Sequence, residues 1–225
     1  MKEGILIIDK PEGLTSHDVV DFIRKKLSLR KVGHAGTLDP LATGLLVILI
    51  GKYTRKFREF MSFDKEYLAT LTLGIRTDTG DAKGTIIGKL PYDDISEEKL
   101  RYVFKEFQGE IEQIPPMFSA LKYKGKRLYQ LARKGINVPR SARKIKIYNL
   151  ELVSFNPPNV ELRILCSKGT YIRSLAEDIG RRLGCGAFIS RIKRIGLGPF
   201  KIKDAISLEN IDESFLRSWP DQKNI

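Results

Sequence analysis

Residues 33–50 read GHAGTLDPLATGLLVILI, a stretch that joins a glycine-rich loop to an unbroken apolar run. Glycine permits backbone conformations that other residues avoid, so the first part is typical of a loop. The run that follows, from Leu45 to Ile50, has the length and composition of a strand buried on both faces. The sequence therefore predicts a core strand that is entered through a loop carrying a single acid, Asp39.

The pair Asp39-Pro40 has two interpretations. One is turn chemistry, in which the aspartate bonds its own backbone and the proline sets the next φ angle. The other is a carboxylate held on a stiffened loop for chemistry, with glycines that let the backbone approach a ligand closely. His34, in the same loop, is open to three roles: a pH-sensitive partner, a stacking platform or a hydrogen-bonded loop residue.

Outside this stretch the pattern alternates between strand and helix signals. Val19, Ile23 and Leu27 repeat at helical spacing behind a Thr15-Ser16 cap, and Gly109 follows a second amphipathic run. The predicted strands are 4–9, 45–50, 66–74, 143–155, 159–166 and a strand-like segment over 187–200. The predicted helices are 15–27, 53–61, 96–108 and 171–183, and residues 77–84 are predicted as a loop. The pattern indicates a single α/β domain with a basic insertion and a short tail.

Composition excludes several classes of protein. With 225 residues, 42% of them hydrophobic, the chain can build one sizeable core or two small ones. Its longest apolar run, residues 45–50, is far shorter than the roughly 20 residues that span a bilayer. The N-terminus lacks the layout of a signal peptide, and Cys166 and Cys185 provide no disulfide framework, so we expect a cytoplasmic protein.

The chemistry available to the chain is also restricted. Only two histidines, His17 and His34, are present, and no C-x-x-C or H-x-x-x-H spacing occurs, which argues against zinc. Glycine-rich phosphate loops and the G-x-S-x-G elbow of serine hydrolases are absent from the sequence. Carboxylates, tyrosines and arginines remain as the groups that could act on a substrate.

The charge distribution points first to nucleic acid as the partner and second to an anionic membrane surface. Lys and Arg number 40 against 27 acids, a net charge of +13. Ten of the cations lie in 116–146 and seven in 181–203, and neither window contains an acid. Lys and Arg side chains that bind phosphates displace counterions, which makes binding strong and sensitive to salt. The interleaved Phe118, Tyr123 and Tyr129 can stack on unpaired RNA bases. The alternative, a thermophile-like network of ion pairs, needs both signs of charge, which these windows lack.

Several short motifs resemble those of the bacterial TruB family of tRNA pseudouridine synthases. In chain order they are KPEGLTS (10–16), GHAGTLDPLATGLL (33–46), KEY (65–67), PPMFSALK (115–122), SKGTYIR (167–173) and GCGA (184–187). They follow the family's order across about residues 5–200, which makes the resemblance specific. It implies a large, mainly antiparallel mixed sheet flanked by helices, with an insertion over about 115–135 that folds over an RNA stem-loop.

The resemblance implies an enzyme that converts a uridine of the tRNA T-loop, position 55, to pseudouridine. Asp39 matches the catalytic aspartate, and Arg173 matches the arginine that pairs with it. The other implied substrate contacts are His34, Tyr67, Tyr171 and Ile192, the last standing where the family usually has leucine. We expect Lys122, Lys124, Lys126 and Arg127 to contact the RNA backbone. The implied partner is the tRNA T stem-loop, bound by a monomer without cofactor, metal or membrane.

The chemistry of the isomerisation agrees with this assignment. The N1–C1′ bond must break, the uracil must turn, and C5 must join C1′, with no redox step or phosphate transfer. The carboxylate can attack the sugar, attack the base, or take part in a glycal-like route, and the residues do not distinguish these. The target base must leave its stack, at a cost of a few kcal/mol that aromatic stacking can offset.

Two alternatives to this function remain open at the level of sequence. One is a non-catalytic RNA-binding module that uses the same basic face, and the other is a synthase acting on another RNA, alone or under a guide. The predicted catalytic domain is 1–206, followed by a tail over 207–225. Bacterial members usually carry a further C-terminal RNA-binding module, whereas only about 25 residues follow Phe200 in this sequence. We therefore expect most of that module to be missing and contacts beyond the T-arm to be reduced.

Overall fold

A computed structural model describes residues 2–219 of the chain. Five α-helices are present in these residues: Ser16–Lys26 (α1), Phe57–Ser62 (α2), Glu97–Phe107 (α3), Leu128–Ala132 (α4) and Ile172–Leu183 (α5). Short 3₁₀ helices lie at Gly51–Lys56, Ile202–Asp204 and Glu213–Phe215.

Fourteen strands accompany these helices within the described residues. The first seven are Gly4–Lys10 (β1), Val32–Ala35 (β2), Thr43–Ile50 (β3), Lys65–Leu73 (β4), Ile75–Thr77 (β5), Ile86–Lys89 (β6) and Gly109–Gln113 (β7). The others are Lys122–Tyr123 (β8), Lys126–Arg127 (β9), Arg143–Asn156 (β10), Asn159–Cys166 (β11), Ala187–Leu197 (β12), Phe200–Lys201 (β13) and Ile206–Ser207 (β14). Ten of them form one mixed sheet, and β5–β6 and β8–β9 form separate hairpins.

The chain divides into two compact units. The first unit comprises residues up to 67 together with those from 192 onward, and the second unit comprises 68–191. In the first unit β3 pairs antiparallel with β1 and β2 and parallel with β12, while β14 lies parallel to β1. In the second unit β10 pairs antiparallel with both β11 and β7. Most of these pairings are antiparallel, which confirms the predicted mixed α/β class with a large sheet.

The core strand predicted at 45–50 is β3, and both of its faces are covered. Its odd-numbered residues pack with alternate residues of β1 and with the rings of Tyr53, Phe60 and Phe200. Its even-numbered residues point to the opposite face and are equally buried. This strand therefore gives the loop that precedes it a rigid base.

Local signals determined the ends of the main helices as predicted. The Thr15 hydroxyl accepts the Asp18 N–H and the Asp18 carboxylate accepts the Thr15 N–H, so a capping box starts α1. Helix α5 ends at Gly184, whose φ of 84° lies in the left-handed region. Both helices match the predicted bounds to within a residue or two.

Two segments differ from the sequence-based prediction, and the predicted 77–84 loop gains a structural context. Residues 33–35 belong to strand β2 rather than to a loop, because they pair with β3. Strands β5 and β6 enclose the predicted 77–84 loop and make it the connection of a hairpin. The predicted helix 53–61 instead begins at Gly51 as a 3₁₀ helix and continues as α2. For β2 it is the pairing with β3, and not the composition of the segment itself, that decides the conformation.

The segment after residue 206 is built into the first unit as far as residue 219. Strand β14 lies beside β1, and Ile5 exchanges two backbone hydrogen bonds with Arg217. Trp219 packs against Phe60, Phe63 and Phe200. Across residues 2–219 no helix combines the length and apolar character needed to cross a membrane.

Candidate active site

Asp39 lies in a tight turn of the first unit and is half-buried. Its carbonyl accepts the Ala42 N–H at 3.0 Å, which closes the turn. The next carbonyl, that of Pro40, accepts the Gly13 N–H at 2.8 Å, so the turn is tied to the segment after β1. A turn is therefore present at Asp39-Pro40 and its backbone is held, while the role of the carboxylate in chemistry stays a prediction.

Helix α1 holds the same turn through Ser16. The buried Ser16 hydroxyl accepts the Leu38 N–H at 2.8 Å and donates to the Leu38 carbonyl at 3.2 Å. Leu38 immediately precedes Asp39, so the first residue of α1 positions the turn directly. The KPEGLTS segment thus serves as a cradle for the Asp39 turn, a role that its sequence alone did not indicate.

Lys10 organises this cradle. Its side chain is fully buried, and its ammonium donates to the carbonyls of Pro11 at 2.8 Å and Leu14 at 2.6 Å. Burial lowers the pKa of Lys10 to about 8, and the negative charge of Asp39 is the main influence opposing that change. Lys10 therefore places a positive charge in the electrostatic environment of Asp39.

His34 is a neutral side chain at neutral pH. It lies on β2 opposite Ile48 and is half-buried. Burial lowers the pKa of His34 to about 4, with a further contribution from the positive charge of Arg194. Its Nδ1 atom is buried and has no hydrogen-bond partner within the described residues. A neutral ring with an unpaired nitrogen fits a stacking or base-contacting role better than that of a charged partner.

Tyr67 and Ile192 complete the predicted residues of the first unit. Tyr67 lies on β4 with only 8% of its surface exposed, and its phenol opposes the lowering of the Arg194 pKa by burial, which places the hydroxyl in the electrostatic environment of that guanidinium. Ile192 is half-buried on β12, and its carbonyl lies 3.5 Å from the Thr43 hydroxyl at the start of β3. The first unit therefore contains Asp39 and three of its predicted companions.

Arg173 is a buried arginine of the second unit, on the first turn of α5. Its guanidinium donates to the carbonyls of Thr79 at 2.9 Å and Phe118 at 2.7 Å. Its Nε lies 3.7 Å from the carboxylate of Asp81, which is also buried. Arg173 thereby ties the β5–β6 connection to the insertion. Its pairing with Asp39 stays a prediction.

Tyr171 is held at the start of α5 by Gln113. The Gln113 amide donates to the Tyr171 carbonyl at 3.0 Å and its oxygen accepts the Tyr171 N–H at 2.8 Å. Gln113 is 2% exposed, so this pair of bonds is shielded from water. The backbone of Tyr171 is consequently fixed, while its side chain remains half-buried.

The four predicted phosphate-contacting cations form an exposed hairpin. Lys122 pairs with Arg127 across β8 and β9, and the turn between them is Lys124-Gly125. Both turn residues have positive φ angles, 47° and 83°, as a two-residue type I′ turn requires. The side chains of all four cations are exposed. The hairpin therefore presents its positive charges to solvent.

The structure also identifies residues that sequence reasoning missed. They are Lys10, Ser16, Asp81, Gln113 and Arg194. Lys10 and Ser16 belong to the KPEGLTS motif, and Arg194 belongs to the basic window 181–203. The sequence does not indicate that the side chains of Lys10 and Arg194 are buried. Within residues 2–219 no cluster of His, Cys, Asp and Glu side chains could hold a metal ion.

Comparison with protein families gives two matches that together cover residues 24–223. The model of the TruB family pseudouridylate synthase N-terminal domain matches residues 24–172. The model of the tRNA pseudouridylate synthase B C-terminal domain matches residues 173–223.

Curated relatives give the same family. A tRNA pseudouridine synthase B of Syntrophotalea carbinolica is 48% identical over 209 residues, which are 93% of this chain and 68% of that protein. Its counterpart in Clostridium kluyveri is 51% identical over 215 residues, which are 93% of this chain and 72% of that protein.

Solved structures share the fold. A chain of a Cbf5–Nop10–Gar1 complex superposes with a TM-score of 0.73 at 36% identity, over 92% of this chain. A chain of an H/ACA ribonucleoprotein bound to a substrate RNA containing 2′-deoxyuridine gives 0.70 at 34% identity, also over 92%. This chain spans about half the length of those solved chains, 53% and 51% respectively.

Proposed function

The chain belongs to the TruB family of pseudouridylate synthases, and we propose that its target is a single uridine of the tRNA T-loop, position 55. The observation that best supports a catalytic role is the held turn at Asp39. Three separate contacts, from Gly13, Ser16 and Ala42, fix the backbone on both sides of this carboxylate. Such preorganisation is what a catalytic group requires and an ordinary surface turn does not.

Asp39 is the proposed catalytic group. In the reaction N1–C1′ breaks, C5–C1′ forms, the proton on C5 is lost and N1 gains a proton, so the product has the mass of the substrate. A carboxylate beside C1′ can bond to the sugar covalently or stabilise the positive charge that develops there. Arg173 is proposed to pair with this carboxylate and keep it ionised.

The remaining site residues are proposed to receive the extruded base. Tyr67 and Tyr171 contact the flipped uracil and its sugar, and Ile192 forms part of the pocket wall. His34 occupies the space in the stack that the uridine leaves. This role is supported by its neutral ring, because a cation would be poorly solvated at a half-buried position.

The hairpin of residues 122–127 is proposed to contact the phosphates of the T stem-loop. Its four exposed cations and the stacking surface of Tyr123 suit a single-stranded loop and its flanking stem. The proposed enzyme acts as a cytoplasmic monomer, without cofactor or metal. The proposed catalytic domain is 1–206, with the insertion over about 115–135 and a tail over 207–225.

The experiment is pseudouridine formation in a T-arm hairpin RNA, detected by a chemistry selective for pseudouridine. We expect product with the wild type, none with Asp39→Asn, and an RNA Kd within about threefold of the wild-type value. Asp93→Asn, a change at an exposed acid of the second unit, serves as the matched control and should retain full activity.

Other outcomes identify the alternatives. RNA binding without product from the wild type would favour a non-catalytic RNA-binding module. Product from another RNA, but none from the T-arm, would support the same isomerisation on a different RNA substrate. Equal activity of wild type and Asp39→Asn would remove Asp39 from its proposed role.

A further inference from the structure

Arg194 is a second deeply buried cation near the Asp39 turn, in addition to Lys10. It lies on β12 with 1% of its surface exposed. Burying a guanidinium costs several kcal/mol unless its donors are satisfied, so a side chain in this position needs strong partners. Its partners are therefore informative about its role.

Two of these partners are backbone carbonyls at opposite ends of one loop. The Arg194 Nε donates to the Leu45 carbonyl at 2.7 Å, and Nη2 donates to the Gly36 carbonyl at 3.0 Å. Gly36 and Leu45 flank the segment that contains Asp39. The planar fork of a guanidinium holds two acceptors at a fixed separation, which a flexible ammonium does not. One side chain thus fixes both ends of the loop.

The backbone of Arg194 contacts the same loop. Arg194 is paired with Gly44 across β12 and β3. A Cβ atom on Gly44 would lie 2.3 Å from the Arg194 carbonyl oxygen, so the two backbones approach as closely as glycine allows. Side chain and main chain of one residue therefore act on the loop together.

The hydroxyl of Tyr67 belongs to the same environment, because it opposes the lowering of the Arg194 pKa by burial. A guanidinium has donors only, so the group of Tyr67 that can face it favourably is the phenol oxygen. Arg194 consequently limits the direction in which the phenol can donate.

We propose that Arg194 is a positioning residue, whose single guanidinium fixes the Asp39 loop at both ends and the Tyr67 hydroxyl relative to that loop. This inference rests on the proposed function, because Asp39 and Tyr67 carry the roles assigned above. Arg194 acts through these two residues and needs no contact with the RNA. Its loss should therefore slow the chemical step and leave RNA affinity unchanged.

The test compares single-turnover isomerisation of a T-arm hairpin RNA by five proteins. These are the wild type, Arg194→Lys, Tyr67→Phe, the double variant and Phe60→Leu. Lysine keeps the charge but lacks the planar fork that bridges the Gly36 and Leu45 carbonyls, so we expect the rate to fall about 100-fold with Kd within about threefold. Phe60 is a core residue of the same unit, and its substitution should lower the melting temperature without slowing the reaction.

The Tyr67→Phe background distinguishes a positioning role of Arg194 from a purely structural one. A purely structural role predicts the same rate loss from Arg194→Lys in both backgrounds. If Arg194 acts partly through the phenol, Arg194→Lys should cost at least about tenfold less in the Tyr67→Phe background. A rate for Arg194→Lys within about threefold of the wild type would overturn the proposal. So would an equal loss in both backgrounds. Absence of product from the wild type would instead refute the proposed function.

A second measurement avoids substituting Arg194, in case the lysine variant does not fold. The exchange of the Arg194 Nε proton with solvent can be followed by ¹⁵N NMR in wild type and Tyr67→Phe. We expect exchange about tenfold or more slower than for exposed Arg101, and faster once the Tyr67 hydroxyl is removed. An exchange rate unaffected by Tyr67→Phe would overturn the coupling between the two residues.

Discussion

Ser16 and Leu38 are joined by two hydrogen bonds through one hydroxyl, which accepts from the Leu38 N–H and donates to the Leu38 carbonyl. The hydroxyl therefore satisfies both backbone groups of Leu38, the residue before Asp39, as a neighbouring strand would. Ser16 is 1% exposed, so neither bond competes with water. The first residue of a helix in this way determines where a carboxylate of a different segment lies.

Ser16→Ala should lower both stability and rate. The buried Leu38 N–H and carbonyl lose their partner, which predicts a loss of about 1–3 kcal/mol in the free energy of unfolding. The single-turnover rate on T-arm RNA should fall while the RNA Kd stays constant. Urea denaturation and rapid-quench kinetics measure the two effects. Ser62→Ala, at an exposed hydroxyl of α2, should change neither, and an unchanged rate for Ser16→Ala would contradict the positioning role.

Gly36→Ala and Gly184→Ala form a matched pair. Both glycines have nearly the same positive φ, 83° and 84°, so alanine should cost each about 1–2 kcal/mol in stability. An added Cβ at Gly36 would also lie 3.1 Å from Nη1 of Arg194, whereas at Gly184 it meets nothing within 4 Å. Only Gly36→Ala should therefore slow isomerisation, as single-turnover kinetics will report. Equal slowing of both variants would show that backbone strain alone is responsible.

His34 should make the fold less stable in acid. Its pKa is about 4 in the folded protein and near the ordinary 6.5 in the unfolded chain, so below pH 6.5 the unfolded state binds the extra proton. Stability contributed by the neutral ring is complete above pH 6.5 and is lost as the pH falls toward 4, by about 3 kcal/mol at most. Denaturant unfolding across this range should show the slope in wild type.

The control for this prediction is the exposed histidine. His34→Asn should remove the contribution of His34 to that slope, while His17→Asn should keep it, because the His17 side chain is 73% exposed. If His34→Asn retains the full slope, other groups govern acid stability. The same reasoning predicts that no step of the activity profile between about pH 5.5 and 7.5 belongs to His34.

Replacing Lys122, Lys124, Lys126 and Arg127 by glutamine should flatten the salt dependence of RNA binding. Each phosphate contact contributes about 0.7 to 0.9 to the slope of log K against log salt, so losing all four reduces it by about 3. Fluorescence anisotropy titrations at several salt concentrations measure this slope. Lys99→Gln with Arg101→Gln, on α3 where each cation is paired with an acid, is the control and should leave the slope unchanged.

Sequence patterns predicted the parts of this fold whose causes are local. The Thr15–Asp18 capping box and Gly184 determine helix ends within a few residues of the chain, and the unbroken apolar runs of β1 and β3 follow from burial of both faces of each strand. Strand β2 was missed because its pairing with β3, rather than its own composition, makes it a strand. Propensity carries little information about such short segments.

The candidate site shows the same division. Asp39 and its glycines were recognised through their motif, as were Tyr67 and Arg173. Arg194 could not be singled out, because a buried cation and a surface cation read identically in a basic window. Its two carbonyl acceptors, at Gly36 and Leu45, lie about 150 positions earlier in the chain, and only the folded structure brings them to the guanidinium.

The first unit is assembled from the two ends of the chain, and this has a consequence for biosynthesis. A ribosome releases the Asp39 loop early, but it must translate the whole of residues 68–191 before Arg194 is made. Until then the nascent chain holds the Asp39 loop without the guanidinium that joins its ends. The ends of this loop are therefore bridged only after the second unit has been translated, when the early strands also gain their later neighbours.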